Sequence, residues 1–122
     1  MDKPQLTIRS ENGSASTYII ASGSNNNVFE ITADYVNISG FTIKGANGNC
    51  YWGTGVGVQL NKSNNSTISS NSLLSNDCGI NLVSSMHNII IDNNVAKNDW
   101  VGIRLYSSRD NIMANNNVIF NY

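Results

Sequence analysis

The chain has 122 residues, with 7 basic against 8 acidic side chains, so it offers neither a basic stripe for nucleic acid nor a polybasic patch for a membrane surface. No apolar run approaches the roughly 20 residues of a spanning helix, and the length allows one domain at most. Asn and Ser make up almost a third of the sequence, but they are interleaved with Ile, Val and Leu at fixed spacing, which points to order rather than disorder.

Leu6-Thr7-Ile8 alternates as a first strand, and the turn-rich Ser10-Glu11-Asn12-Gly13-Ser14 closes it. Tyr18-Ile19-Ile20 reads as the next strand, ended by a polar run over residues 22–27. Val28-Phe29-Glu30-Ile31 follows, then apolar positions at Ile38 and Ile43. The lone proline, Pro4, precedes all of these, so the remaining backbone is free to pair as strands. Residues 45–55 are rich in glycine and carry the adjacent aromatics Tyr51 and Trp52.

From residue 56 onward the sequence repeats itself. Gly57-Val58-Gln59-Leu60, Gly79-Ile80-Asn81-Leu82 and Gly102-Ile103-Arg104-Leu105 stand at spacings of 22 and 23. Each is followed at matching offsets by a second apolar position (Ile68, Ile90, Met113) and a third (Leu73, Val95, Val118). Units this short cannot bury an apolar face alone and must stack, which is the signature of a solenoid. Residues 5–45 fit the same repeat in degenerate form, with Phe29 and Ile31 in the places of Val58 and Leu60. Residues 45–55 are then a loop expelled from the stack, and residues 56–122 are the regular rungs. Alternate residues of each strand point inward, so the repeated apolar positions predict three inward columns.

The pattern Gly-Ile-x-Leu, Ser-Ser, Asn-x-Ile, Asn-x-Val and Asn, present at residues 79–98 and 102–121, resembles right-handed parallel β-helix repeats. It is similar to the NosD-like group, also described as carbohydrate-binding and sugar-hydrolase repeats, found in archaeal and bacterial surface proteins. Leu6-Thr7-Ile8-Arg9-Ser10-Glu11-Asn12-Gly13 and Val36-Asn37-Ile38-Ser39-Gly40-Phe41-Thr42-Ile43 resemble phrases of its archaeal members. The resemblance implies an all-β, single-stranded right-handed parallel β-helix of about five coils, each of roughly 22 residues. It does not fix an activity, because the architecture carries lyases, hydrolases, adhesins and inert spacers. Members usually open with a helix over the first rung, and no helical period precedes Leu6, so a segment of a longer protein is expected. Alternatively, the open rungs stack end to end with further copies.

Several side chains carry candidate chemistry. Asp77 and Asp99 share one repeat position and are expected to stack about 5 Å apart, a spacing used by retaining glycosidases. Solvated corner residues are the plainer alternative. Tyr51, Trp52 and Trp100 are candidates for stacking on sugar rings, against the alternative of a hydrophobic plug that pins the loop. In that reading Trp100 matches Cys78 in the repeat, and Cys50 can bridge to Cys78. The outward column Glu30, Gln59, Asn81, Arg104 holds one acid, a poor match to the acid cluster of calcium-dependent lyases. His87, the sole histidine, stands at a corner beside Met86, and one His with one Met is not a copper site.

Asn71, Asn93 and Asn116 recur at one corner, and Asn76, Asn98 and Asn121 at another. Stacked amides bonding up the ladder, with Asn supplying the left-handed backbone of the corners, are expected there. Asn12, Asn37, Asn61, Asn64 and Asn65 begin Asn-x-Ser/Thr sequons. The expected role is a non-catalytic scaffold or glycan-contact module at the cell surface or outside the cell, with no cofactor or metal. Its partners would be a polysaccharide, a cell-surface glycan or its own kind. The alternative is a fragment of a polysaccharide-degrading enzyme.

Overall fold

The computed structural model describes all residues from 1 to 122. Fourteen strands follow in chain order: β1 (Thr7–Arg9), β2 (Tyr18–Ile20), β3 (Phe29–Ile31), β4 (Asn37–Ser39), β5 (Thr42–Lys44), β6 (Val56–Asn61), β7 (Thr67–Ser69), β8 (Ser72–Leu74), β9 (Cys78–Val83), β10 (Ile89–Ile91), β11 (Asn94–Ala96), β12 (Val101–Tyr106), β13 (Ile112–Ala114) and β14 (Asn117–Ile119). One turn of 3₁₀-helix, Cys50–Trp52, interrupts them. The strands form three sheets, ordered β1-β4-β7-β10-β13, β2-β5-β8-β11-β14 and β3-β6-β9-β12. Each pairing is parallel and joins strands of successive turns, so the chain is a right-handed parallel β-helix.

The register follows the repeat. Val58 pairs with Ile80 and Ile80 with Ile103, while Leu60, Leu82 and Leu105 align beside them. Phe29 and Ile31 meet Val58 and Leu60, so the degenerate third of the chain joins the same column. A second column runs Ile8, Ile38, Ile68, Ile90, Met113, and a third runs Ile19, Ile43, Leu73, Val95, Val118. Their middle members merge into one core of 13 buried residues. At the last rung Met113 and Val118 remain exposed.

The repeated glycine is a spatial requirement. Gly57, Gly79 and Gly102 have ordinary backbone angles, but a Cβ on Gly79 would lie 2.5 Å from the Gly102 carbonyl oxygen and 2.5 Å from Val95 Cγ1. Both contacts are far inside van der Waals distance, and one is to backbone that cannot swing away.

Four corners per rung are closed by four polar ladders. The carboxamide oxygen of Asn93 accepts from the Asn71 backbone N–H at 3.0 Å and from its Nδ2 at 3.3 Å, and Asn116 does the same for Asn93. The Nδ2 of Asn93 also donates to the Ile68 carbonyl. Asn76, Asn98 and Asn121 repeat the arrangement. Two further ladders, Ser66-Asn88-Asn111 and Ser63-Ser85-Ser108, close the remaining corners. Ser63 and Ser66, the third residues of the Asn61 and Asn64 sequons, are thus buried framework.

The structure corrects one expectation about these corners. The left-handed residue is the one before each ladder residue: Ser70, Asp92 and Asn115 in one ladder, Ser75, Lys97 and Phe120 in another. The ladder asparagine itself turns inward with ordinary backbone angles. A left-handed residue with a side chain costs roughly 1–2 kcal/mol, and the preceding position tolerates Ser, Asp, Lys and even Phe because the next side chain holds the turn.

Two stability outcomes follow. Gly79→Ala should lower stability by about 1–3 kcal/mol, whereas Gly23→Ala, whose Cβ would meet only Asn26 Nδ2 at 3.4 Å, should change it by less than about 0.5 kcal/mol; thermal unfolding followed by circular dichroism distinguishes them. Asn93→Ala orphans the buried backbone N–H of Asn71, removes one of the two acceptors of its Nδ2 and the donor to the Ile68 carbonyl, and should cost at least about 2 kcal/mol in denaturant unfolding, while Asn94→Ala on the outer face should cost far less.

Candidate functional site

The loop between β5 and β6 is built from backbone upward. At its neck Gly48 and Gly55 press together: a Cβ on Gly55 would lie 2.6 Å from the Gly48 nitrogen, and Gly55 has a φ of 75°. Asn49 caps the 3₁₀ turn through its Oδ1, which accepts from the Tyr51 N–H at 3.0 Å. Gly53 ends the turn in the left-handed conformation.

Four fastenings then tie the loop to the rungs. The Cys50 N–H donates to Asp77 Oδ2 at 2.9 Å, and Asn81 Nδ2 reaches the Cys50 carbonyl at 3.4 Å. Asn27 braces the far side, donating to the Gly53 carbonyl at 2.8 Å and accepting from the Val56 N–H at 2.9 Å. Cys50 and Cys78 are joined by a disulfide, their Cα atoms 5.9 Å apart. With Val56 these cysteines make a small second core, against which Val101 packs. A hydrophobic plug does pin the loop, and it consists of the cysteines and valines rather than the aromatics.

The aromatics stay outside. Trp52 is 78% exposed and touches Tyr51 edge-to-face, their ring centroids 5.0 Å apart. Tyr51 forms a ridge between two open recesses. On one side, a recess of about 350 Å³ is lined by Tyr51, Trp52, Gln59, Asn61, Arg104 and Tyr106, among others. On the other, a recess of about 500 Å³ is lined by Asn49, Tyr51, Asp77, Asp99 and Trp100 together with Gly48. Trp52 and Trp100 therefore serve different recesses, and Tyr51 alone is common to both.

Trp100 does not match Cys78. The partner of Cys78 is Val101, and both Trp100 and Val101 point their N–H groups at the Asp77 carbonyl, at 3.0 and 3.4 Å. Gly79 and Gly102 are 23 apart while Asp77 and Asp99 are 22 apart, so the extra residue of this rung falls between Asp99 and Val101. Trp100 occupies that extra position and is displaced outward for that reason.

The floor of the Trp52 recess is the outward column of the third sheet, where Glu30, Gln59, Asn81 and Arg104 are successive register partners. Arg104 Nη1 donates to Asn81 Oδ1 at 3.3 Å, and Asn81 Nδ2 donates to Gln59 Oε1 at 2.9 Å. The Arg104 guanidinium also lies over the Tyr51 and Tyr106 rings, 5.5 and 5.2 Å from their centroids. Sequence reasoning had the column but assigned it no role, since nothing in the spacing shows that the loop lays Tyr51 against Arg104.

One family description matches residues 7–122: periplasmic copper-binding protein (NosD). The chain belongs to the NosD family. No curated protein and no solved structure gives a significant match.

The copper in that description can be tested against the donors of this NosD-family chain. His87 is an exposed corner residue with a φ of 57°, its Nε2 4.0 Å from Asp110 Oδ2. Met86 Sδ accepts from Arg109 Nε at 3.2 Å, both cysteines are bridged, and Met1 packs against the core. No three His, Cys, Asp or Glu side chains gather in one place. Copper is held by converging imidazole, thiolate or thioether groups, and this donor set does not fit it. No helix is long and apolar enough to cross a membrane.

Loop fastening and aromatic display separate cleanly by mutation. Asp77→Ala should raise amide hydrogen exchange across residues 45–55 by removing the acceptor of the Cys50 N–H. Trp52→Ala, which removes a side chain that is 78% exposed and lies edge-to-face with Tyr51, should leave exchange unchanged and stability within about 0.5 kcal/mol of the parent.

Proposed function

We propose that this chain is a non-catalytic β-helical scaffold module of a protein acting outside the cytoplasm, and that the recess between the 45–55 loop and the β6-β9-β12 face contacts glycan. The observation that carries the reading is the exposed Trp52, with Tyr51 and Tyr106, set around a polar floor of Gln59, Asn61 and Arg104. Flat aromatic faces stack on the apolar faces of sugar rings, and fixed amides and guanidinium groups bond their hydroxyls. The fastened loop supports the reading further, since a site held in shape loses little freedom on binding. The periplasmic description of the family and the Cys50–Cys78 bridge both support an oxidising compartment outside the cytoplasm.

A catalytic reading has one observation in its favour: Asp77 and Asp99 line one recess with Tyr51 and Trp100. Against it, Asp77 Oδ2 already accepts the Cys50 N–H and acts as a strut of the loop. The scaffold reading therefore expects no turnover of any polysaccharide. Turnover that disappears in the Asp77→Asn, Asp99→Asn double variant would replace it with the enzyme reading.

Binding itself is tested on an oligosaccharide array, with affinities for the bound members measured by calorimetry. Trp52→Ala should weaken binding at least tenfold, and Trp100→Ala should leave it within about twofold, because Trp100 lies in the other recess. Equal losses in the two variants, or no binding by the parent protein, would sink the assignment.

A further inference from the structure

The hydrogen bonds of the Trp52 recess run one way. Arg104 donates to Asn81 and Asn81 donates to Gln59, so the carboxamide oxygens of both amides are occupied from one side. The chain ends on Gln59 Nε2, which makes no hydrogen bond within the protein and, unlike most of that side chain, is not sealed from solvent. That amide nitrogen lies beside the recess, about 3.9 Å from where a Cβ on Gly53 would stand. At the other end of the floor, Arg104 uses one of its five N–H donors on Asn81 and forms no ion pair with any carboxylate.

Position and charge point the same way as the donors. The two tyrosine rings and Asn81 hold the guanidinium, leaving its remaining N–H groups to be met by a ligand. Arg104 is the only charged side chain lining the recess. An amide N–H that reaches the recess with no partner in the protein is free to meet an acceptor on a ligand. A planar fork of N–H donors matches a two-oxygen acceptor.

From this floor, in which Arg104 is the one charged group, we infer that the recess takes an acidic saccharide, with the carboxylate of a uronic acid residue meeting the Arg104 fork while Trp52 stacks on a sugar ring and Gln59 Nε2 is left for a sugar hydroxyl. The inference rests on the glycan-contact reading above and narrows it to one chemical class. A carboxylate is chosen over a sulfate because the planar fork of Arg104 matches a two-oxygen acceptor and no second cation lines the recess.

The test uses the whole chain and matched probes: hexasaccharides of linear glucan, galactan and mannan, each neutral, oxidised to the uronate, or sulfated at the primary hydroxyls. Calorimetry should show at least one backbone binding tenfold or more tighter as the uronate than as the neutral form, with the margin shrinking as salt rises. Arg104→Gln should erase that margin by lowering the uronate affinity at least tenfold more than the neutral affinity, with circular dichroism checking that the rungs are intact. Arg104→Lys, which keeps charge and loses the fork, should keep only part of the margin.

Equal binding of neutral and uronate forms, or a uronate preference that survives Arg104→Gln, overturns the inference and leaves the glycan recess standing. A preference for the sulfated form that depends on Arg104 overturns the carboxylate assignment. No binding to any of the nine probes overturns both this inference and the glycan reading on which it rests.

Discussion

The structure depends on satisfying backbone N–H groups at corners that no strand can reach. A β-helix must turn several times in each rung, and each turn takes backbone out of the sheet ladder and buries it against the core. Here the N–H of each ladder residue is met by the side-chain oxygen of its equivalent one rung on, as Asn71 is by Asn93 and Asn93 by Asn116. No buried side-chain nitrogen or oxygen is left without a partner. This coupling is between rungs rather than within them, so each rung is complete only in the presence of the next. It also explains the composition: the asparagines and serines that would mark disorder elsewhere are interior parts.

The same coupling leaves little room for function within the regular rungs. Inward positions are taken by the apolar columns, and the corners by the ladders. What remains is the outward face of each sheet and any segment forced out of the stack. The segment between β5 and β6 is such an expulsion, and it folds back because Asn27, Asp77, Asn81 and the Cys50–Cys78 bridge give it four attachments. Residues from four successive turns thereby meet in one place. A rigid framework and a loop of sharp local geometry together fix exposed aromatics in position, which neither would do alone.

Asn81 shows how closely framework and site are joined. Its amide accepts from Arg104, donates to Gln59, and reaches the carbonyl of Cys50 in the loop. It therefore sets the direction of the hydrogen bonds in the floor while holding the loop above it. Arg104 has a similar double contact, with Asn81 below and the rings of Tyr51 and Tyr106 beside it.

The repeat in the sequence determined the inward columns, the parallel stacking and two of the four ladders, because a period of 22 to 23 residues leaves equivalent residues one strand spacing apart. It also showed where the stack is interrupted. Tertiary structure alone decided what the interruption touches. Periodicity carries no information about a segment that breaks it, so neither the return of Tyr51 over Arg104 nor the run of hydrogen bonds from Arg104 through Asn81 to Gln59 could be read from spacing. The position of Trp100 went astray for a related reason: one extra residue in a rung can be absorbed on either side of it, and only the hydrogen bonds to the Asp77 carbonyl decide which. The left-handed corner residues were hidden as well, since Ser70, Lys97 and Phe120 share no chemistry. Their conformation is imposed by the buried ladder residue that follows each of them.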